Sequence, residues 1–581
     1  MKSKHSWFGW LGFIVLAGAF VFLWSTGEAL PEGGLVQVHQ DFTTDPGWEG
    51  VSNRVVCENC PTVTQDFGWS PTSYSDGSGG GGIGGTIVQS RTPAWYGMAL
   101  GRPLSFRDRF SASGSIVIMP IVGTESSGAA YLGFFNSTRQ EWRPWNSMAI
   151  RISYASPDMV TFGLDTMTAL WNGQGYETDI VIPADGRRHR WRFAYDPDRT
   201  PPEEWPDPRL KSYLSHRRQT AEQILEKAKQ AEPGVTLGQI KGRLGDALAL
   251  GLVAYLPKER GIFYTLLDGY ENRKGSLMFQ LDDGRQYRDW LPAALRDGPV
   301  SMDRFGIFNM QIYHRVARFF VSDLTVNGTR IDLSKDPGWD GRGNHVTFVE
   351  RDFQRQDFGY SETNWAGERI GEIGGLFYRT EPVDPIHGYY ADDVGRMTLD
   401  DPIRFSGNIS FVNGATDAGM FFGYFNAGKT MAEIQDERAG MPLDDMLGIV
   451  VGGPTRVGYY VTAICSPERE VASDKHGPTI RPTGERHTFS FTYDPQANSG
   501  VGRITVTLDE KSFTLALTPE QRSAGASFDR FGMASIRKGG KYVTLYLDDL
   551  TYTARRPQHY TPVYHEQQVT SVPYPPGGRT Y

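Results

Sequence analysis

One phrase occurs twice in this chain of 581 residues: DFTTDPGWEG from Asp41 and DLSKDPGWDG from Asp332, 291 residues apart. The echo continues in the same order. QDFGW starts at Gln65 and QDFGY at Gln356. IGG follows at Ile83 and Ile373, then GFFN at Gly133 and GYFN at Gly423. RHRWRFAYDP at Arg188 matches RHTFSFTYDP at Arg486, and DRFG recurs at Asp303 and Asp529. FFVSDLTVNG from Phe319 matches LYLDDLTYTA from Leu545. A unit this long is not a solenoid repeat, whose period is a few tens of residues. It implies a tandem duplication, with one domain over 36–331 and a second over 332–555.

Alternation gives the element type. In HTFSFTYDP, Phe489, Phe491 and Tyr493 alternate with Thr488, Ser490 and Thr492. Residues two apart share one face of a strand. Ile504, Val506 and Leu508 repeat the pattern, with Asp-Pro, Asn-Ser-Gly and Asp-Asp-Gly turns nearby. With 68 glycines and 13% aromatic residues, the chain reads as all-β, built of β-sandwiches.

The order G-x-x-H-x-F-x-F-x-Y-D, a turn, a strand ending in L-D, then a last strand with D-D-L resembles the laminin-G-like (LamG-like) branch of the concanavalin A-like lectin/glucanase superfamily. His189 and His487 take the histidine position, while Arg188 and Arg486 stand where that branch has tryptophan. The resemblance implies two tandem jelly-roll sandwiches. In each, one sheet would be concave, the place where relatives hold glycans.

The first copy is interrupted. Asp196 and Asp494 lie 298 apart but Leu281 and Leu508 only 227, an insertion of 71 residues after RFAYDP. Within 200–270, Leu210, Leu214, Ala221, Leu225 and Ala228 form one helical stripe. A helical hairpin is expected there, either packed on its host or offered to a protein partner. The tail 556–581 is rich in Pro, Tyr and Gln without apolar periodicity, and disorder is expected. At the other end, Lys2 and Lys4 precede an uncharged run over 7–24. Residues 1–29 read as a cleaved signal peptide or a retained transmembrane anchor, and either places the rest outside the cytoplasm. A net charge of −8 without a basic face argues against nucleic acid.

Cys57 and Cys60 sit in VCENCP, a turn-rich setting unsuited to thioredoxin-like chemistry, and a local disulfide is expected. No phosphate loop, serine-hydrolase elbow or zinc motif is present, nor the E-x-D-x-x-E strand usual in glucanases of this superfamily. Glu368 and Glu372 are the nearest acids, in GERIGEIGG, where the paired glycines suggest a tight turn. No catalytic residue is assigned. No cofactor is required, although Asp323, Asp548 and Asp549 have the hard oxygen chemistry that calcium takes. The ligand candidates are Asn136, Trp142, Arg143 and Trp145 in one copy and Asn426 in the other, because aromatic and polar groups together suit sugar faces. Trp48 and Trp339 read as packing residues. The favoured function is exported, non-catalytic binding of glycan or envelope polymer. A structural or protein-interaction module, and a glycoside hydrolase or polysaccharide lyase, stand as alternatives.

Overall fold

A computed structural model of the protein describes residues 34–71, 80–122, 127–138, 146–169, 173–201, 273–284, 286–311, 314–351, 356–378, 388–415, 418–430, 445–453, 458–466, 472–473, 478–535, 542–556 and 561–572. The hydrophobic run at 7–24, nearly all of the helical insertion, and Trp142, Arg143 and Trp145 lie outside the described residues. Among the described residues, no helix is long and apolar enough to cross a membrane.

The described chain is all-β and forms four sheets, paired as two sandwiches. The first sandwich has a nine-stranded sheet, ordered Tyr287–Trp290, Ser276–Leu281, Arg188–Asp196, Phe110–Ile118, Arg315–Val326, Gly82–Gln89, Thr62–Ser70 and His345–Val349, with Thr329–Arg330 beside Arg315–Val326. Its other sheet has seven strands: Gly173–Pro183, Met159–Met167, Ser147–Ser156, Ala129–Phe135, Met302–Asn309, Trp95–Leu104 and Asp340–Arg342. Phe67, Ile116, Phe193 and Phe319 from one sheet meet Leu132, Phe134, Ile150 and Phe305 from the other in a common core. The second sandwich repeats this arrangement with ten-stranded and eight-stranded sheets.

The recurring motifs hold equivalent points in the two sandwiches. His189 Nδ1 lies 2.8 Å from Asp282, and His487 Nδ1 lies 2.7 Å from Asp509. Each Asp also accepts the backbone N–H that follows its histidine, which fixes the hairpin. In DRFG, Asp303 accepts from Ser137 N and Asp529 from Ala427 N, closing the turn after GFFN or GYFN. The IGG segments, expected to form a tight turn, are instead strands. Gly84 and Gly374 have φ of +148° and +147°, and a Cβ on either would strike the backbone of the adjacent strand, so close inter-strand approach explains the glycines.

Sheet membership does not follow the 331/332 division. The phrase that precedes the first sandwich packs on the second. Gly34–Gln40 pairs with the end of Tyr542–Arg556, Glu49–Val51 with Tyr389–Thr398, and Arg54–Cys57 with Gln356–Ser361. Reciprocally, Asp340–Arg342 pairs with Trp95–Leu104 and His345–Val349 with Thr62–Ser70. Trp48 is buried among Phe42, Tyr390, Phe531 and Tyr552, with ring centroids 5.5 to 6.4 Å away. Its counterpart Trp339 rests on Tyr96 at 5.6 Å and is only partly covered. In both copies the Asp of DPGW accepts the N–H of its own Gly and a tyrosine hydroxyl: Asp45 from Tyr390, and Asp336 from Tyr96. Cys57 and Cys60 are disulfide-bonded where the chain leaves the second sandwich for the first.

Part of the tail joins the same edge. Thr570–Val572 adds a parallel strand to Arg54–Cys57, and His565 N donates to Gly47 O at 2.8 Å. Backbone pairing of this kind needs no apolar periodicity, so residue type did not announce it.

Candidate functional site

The outward face of the seven-stranded sheet carries the densest unusual chemistry among the described residues. Its strands alternate so that Leu132 and Phe134 enter the core while Tyr131, Gly133 and Phe135 point away. Register then aligns whole rows across the sheet. One row runs Glu177, Gly163, Arg151, Tyr131, Phe308, Trp95 and Arg342. The next runs Gly175, Asp165, Ala149, Gly133, Gly306, Gly97 and Asp340. The second row is a floor of glycine and alanine with a carboxylate towards each end. A Cβ on Gly133 or Gly306 would meet the backbone of the neighbouring strand, so this floor follows from how closely the strands approach.

At the end by the edge strand Gly173–Pro183, the row becomes charged. Arg151 donates to Glu177, and its Nε lies 4.0 Å from Asp165. Tyr131 donates its hydroxyl proton to the same carboxylate oxygen, Asp165 Oδ2, at 2.9 Å. Burial works against the Arg151 charge, but Asp165 and Glu177 hold its pKa above the usual arginine value. Asp165 is 4% exposed, and its Oδ1 has no hydrogen-bond partner among the described residues. Arg151 Nε and Trp95 Nε1 are also buried without one. Buried polar atoms without partners are costly, so atoms arranged this way suit an incoming hydrogen-bonding group. The far end is closed. Trp95, Tyr131, Phe135 and Phe308 belong to the buried apolar cluster that includes the second sandwich core. Glu177, 68% exposed, marks the open end.

The same row in the second sandwich is uncharged. Val450 stands opposite Phe421 where Arg151 stands opposite Tyr131. Ile464 stands opposite Gly448 where Asp165 stands opposite Ala149.

Asn136 and Asn426 are occupied by the fold. Asn136 Nδ2 donates to Ser301 O at 2.7 Å, and Asn426 Nδ2 donates to Ser527 O at 3.2 Å. Each ties a turn to the strand beside it. The loop bearing Trp142, Arg143 and Trp145 joins the strands that carry Tyr131 and Arg151, but these three residues lie outside the described set. Glu372 is fully buried and accepts from Thr363 Oγ1, Trp365 N and Ala366 N, so it closes a loop. Asp323 accepts from Ser115 and Arg188, and Asp549 accepts from Asn408. Among the described residues, no group of three or more His, Cys, Asp and Glu is placed to hold a metal ion.

The charged row was within reach of the sequence. SMAIRISYAS and MVTFGLDTM are strands of mostly apolar and small residues, yet each contains one charge, at Arg151 and Asp165. A charge inside a strand that reads as buried on both faces is the signal.

No protein-family model and no curated protein matches the chain. Among solved structures it is similar to the carbohydrate recognition domain of Emp47p, at 14% identity and a TM-score of 0.23, covering 34% of this chain and 89% of that one. The metal-free carbohydrate recognition domain of Emp46p gives 14% and 0.20, covering 29% and 76%. Peanut lectin in complex with a nine-residue peptide gives 13% and 0.22, covering 34% and 90%. At these TM-scores the likeness carries no argument, and the sandwich architecture rests on the strand pairing itself.

Proposed function

We propose that this is an exported protein whose first sandwich binds a glycan or envelope polymer without cleaving it. The observation that carries the reading is the row Glu177, Arg151, Tyr131 with Asp165 beside it, open at the sheet edge and backed by aromatic rings. Saccharides present hydroxyl groups that donate to carboxylates and accept from guanidinium, and C–H faces that lie on aromatic rings. The Trp142, Arg143 and Trp145 loop, which joins two of these strands, belongs to the same proposed site. The concanavalin A-like resemblance of the strand motifs supports this reading.

The test is a binding panel of soluble β-glucan, xylan, chito-oligosaccharide and solubilised peptidoglycan, with reducing-end release followed in parallel. Binding by the parent and its clear weakening in Arg151→Val/Asp165→Ile is the expected result. Absence of binding across the panel, or full retention in the double variant, sinks the assignment. Steady release of reducing ends would show turnover and replace binding with catalysis.

A further inference from the structure

We infer that the second sandwich carries its own saccharide-stacking site at Trp365, separate from the charged face of the first. The inference rests on the glycan reading for its ligand class, but its residues are different. Trp365 is the one exposed tryptophan among the described residues, with 45% of its surface open to solvent. It sits in the loop SETNWAGERIG, between strands Gln356–Ser361 and Glu372–Tyr378.

That loop is held firmly. Glu372 Oε1 accepts from Thr363 Oγ1 and, at 2.9 Å, from Trp365 N; its Oε2 accepts from Ala366 N at 2.6 Å. Gly371 N donates to Thr363 O at 2.9 Å, and Arg486 donates to Gly367 O. Removing a carboxylate from water costs several kcal/mol unless donors replace the lost solvent. Here the donors come from residues 363–366 themselves, so the charge fixes the backbone that presents the indole. The first sandwich has Gly82 in place of Glu372, by the shared register of Ile83 with Val321 and Ile373 with Leu547.

The indole is also backed. Gly484, at φ +73°, lies under it so closely that a Cβ there would come within 3.1 Å of the ring. The same loop carries Glu368, whose carboxylate lies 3.8 Å from the partly exposed Arg486 guanidinium. A fixed aromatic ring, backed on one side and carried on a loop with charged groups able to exchange hydrogen bonds, is an arrangement on which a pyranose ring can stack. Rigidity lowers the ordering cost of such contacts. An exposed indole made only to fill space would need no such anchoring.

The experiment compares Trp365→Ala and Trp365→Phe with the parent in affinity electrophoresis and calorimetry on the same four polysaccharides. Trp365→Ala should leave the melting temperature unchanged and weaken binding by about tenfold, while Trp365→Phe should keep it within about threefold. Glu372→Gln, which weakens the anchor but keeps the indole, should fall between them. Unchanged affinity in Trp365→Ala overturns the Trp365 site and leaves the charged face of the first sandwich standing. No binding by the parent overturns both.

Discussion

Arg151 and Val450 occupy the same place in the two sandwiches, each opposite an aromatic residue on the neighbouring strand. Asp165 and Ile464 form the second such pair. Beneath them the floors agree: Ala149, Gly133, Gly306 and Gly97 in one, Gly448, Gly423, Gly532 and Ala391 in the other. What the copies share is fixed by backbone approach. Where they differ, one has charges and the other has the aliphatic residues Val450 and Ile464. Replacing buried ion pairs by packed apolar residues is often neutral or stabilising. In the second sandwich these two positions pack without charge, so the shared fold does not itself require Arg151 and Asp165.

The comparison can be pressed hardest at the exchanged segments. Removing 34–57 should leave the first sandwich folded and the second unable to form, because the second loses strands on both sheets and Trp48. Limited proteolysis should then degrade residues beyond 356 and spare those before 350; equal protection of both halves would refute the exchange. Point substitutions should show the same asymmetry. Trp48→Ala should cost about 3–5 kcal/mol, as for a buried large aromatic, and Trp339→Ala about 1–2 kcal/mol because it is only partly covered. Equal losses in denaturant melts would erase the difference between the copies.

Next in size is Arg151→Ala, which leaves Asp165 buried without its cation. A loss of about 2–3 kcal/mol is expected, below the full cost of breaking a buried pair because Glu177 reaches solvent. Arg151→Val/Asp165→Ile should instead stay within about 1 kcal/mol of the parent. If the double variant is as unstable as the single one, the charges are structural after all.

Asp548 distinguishes the copies in a third way, since Ser322 takes its position in the first sandwich. Burial, with Asp549, Glu372 and Asp41 nearby, pushes its carboxyl up to about 7 from 3.8. The native state therefore holds a proton that the unfolded chain has lost between these values, and stability falls as pH rises from about 4 to about 7. Asp548→Asn should raise stability at pH 8 by about 1 kcal/mol and make no difference at pH 3. A gain that persists at pH 3 would rule out titration as the cause. The smallest effect belongs to Cys57→Ser/Cys60→Ser, expected to cost less than about 1 kcal/mol because so short a loop restrains the unfolded chain little.

Much of the fold could be read from residue order because strand alternation is local: Phe489, Phe491 and Tyr493 declare their face without reference to anything distant. The exchange could not be read that way. DPGWEG and DPGWDG are near-identical, so each fits the surface of either sandwich, and only the spatial path of the chain decides between them. The candidate face is hidden for a related reason. Arg151, Asp165 and Tyr131 stand on three different strands, and register alone brings them into contact. Asn136 and Asn426 stood out as conspicuous polar residues, yet their amides are engaged with backbone carbonyls, which the sequence does not display.

Gln37 Nε2 donates to Thr553 Oγ1 across 516 residues of chain, and Gly34 lies opposite Arg556. The molecule is therefore a ring in all but covalent connection, its first described strand waiting for Tyr542–Arg556. During synthesis Arg54–Cys57 and Glu49–Val51 wait for Gln356–Ser361 and Tyr389–Thr398, and Gly34–Gln40 has no partner until Tyr542–Arg556 follows. The first sandwich can assemble as soon as residue 349 is available, whereas the second must recapture a segment made more than 500 residues earlier. Contacts so far apart in sequence form slowly. In that interval the apolar bed awaiting Trp48, formed by Tyr390, Phe531 and Tyr552, stands open. Newly made chains are thus most vulnerable to mutual entanglement at the second sandwich, and a neighbouring copy's Trp48 is the group best shaped to intrude.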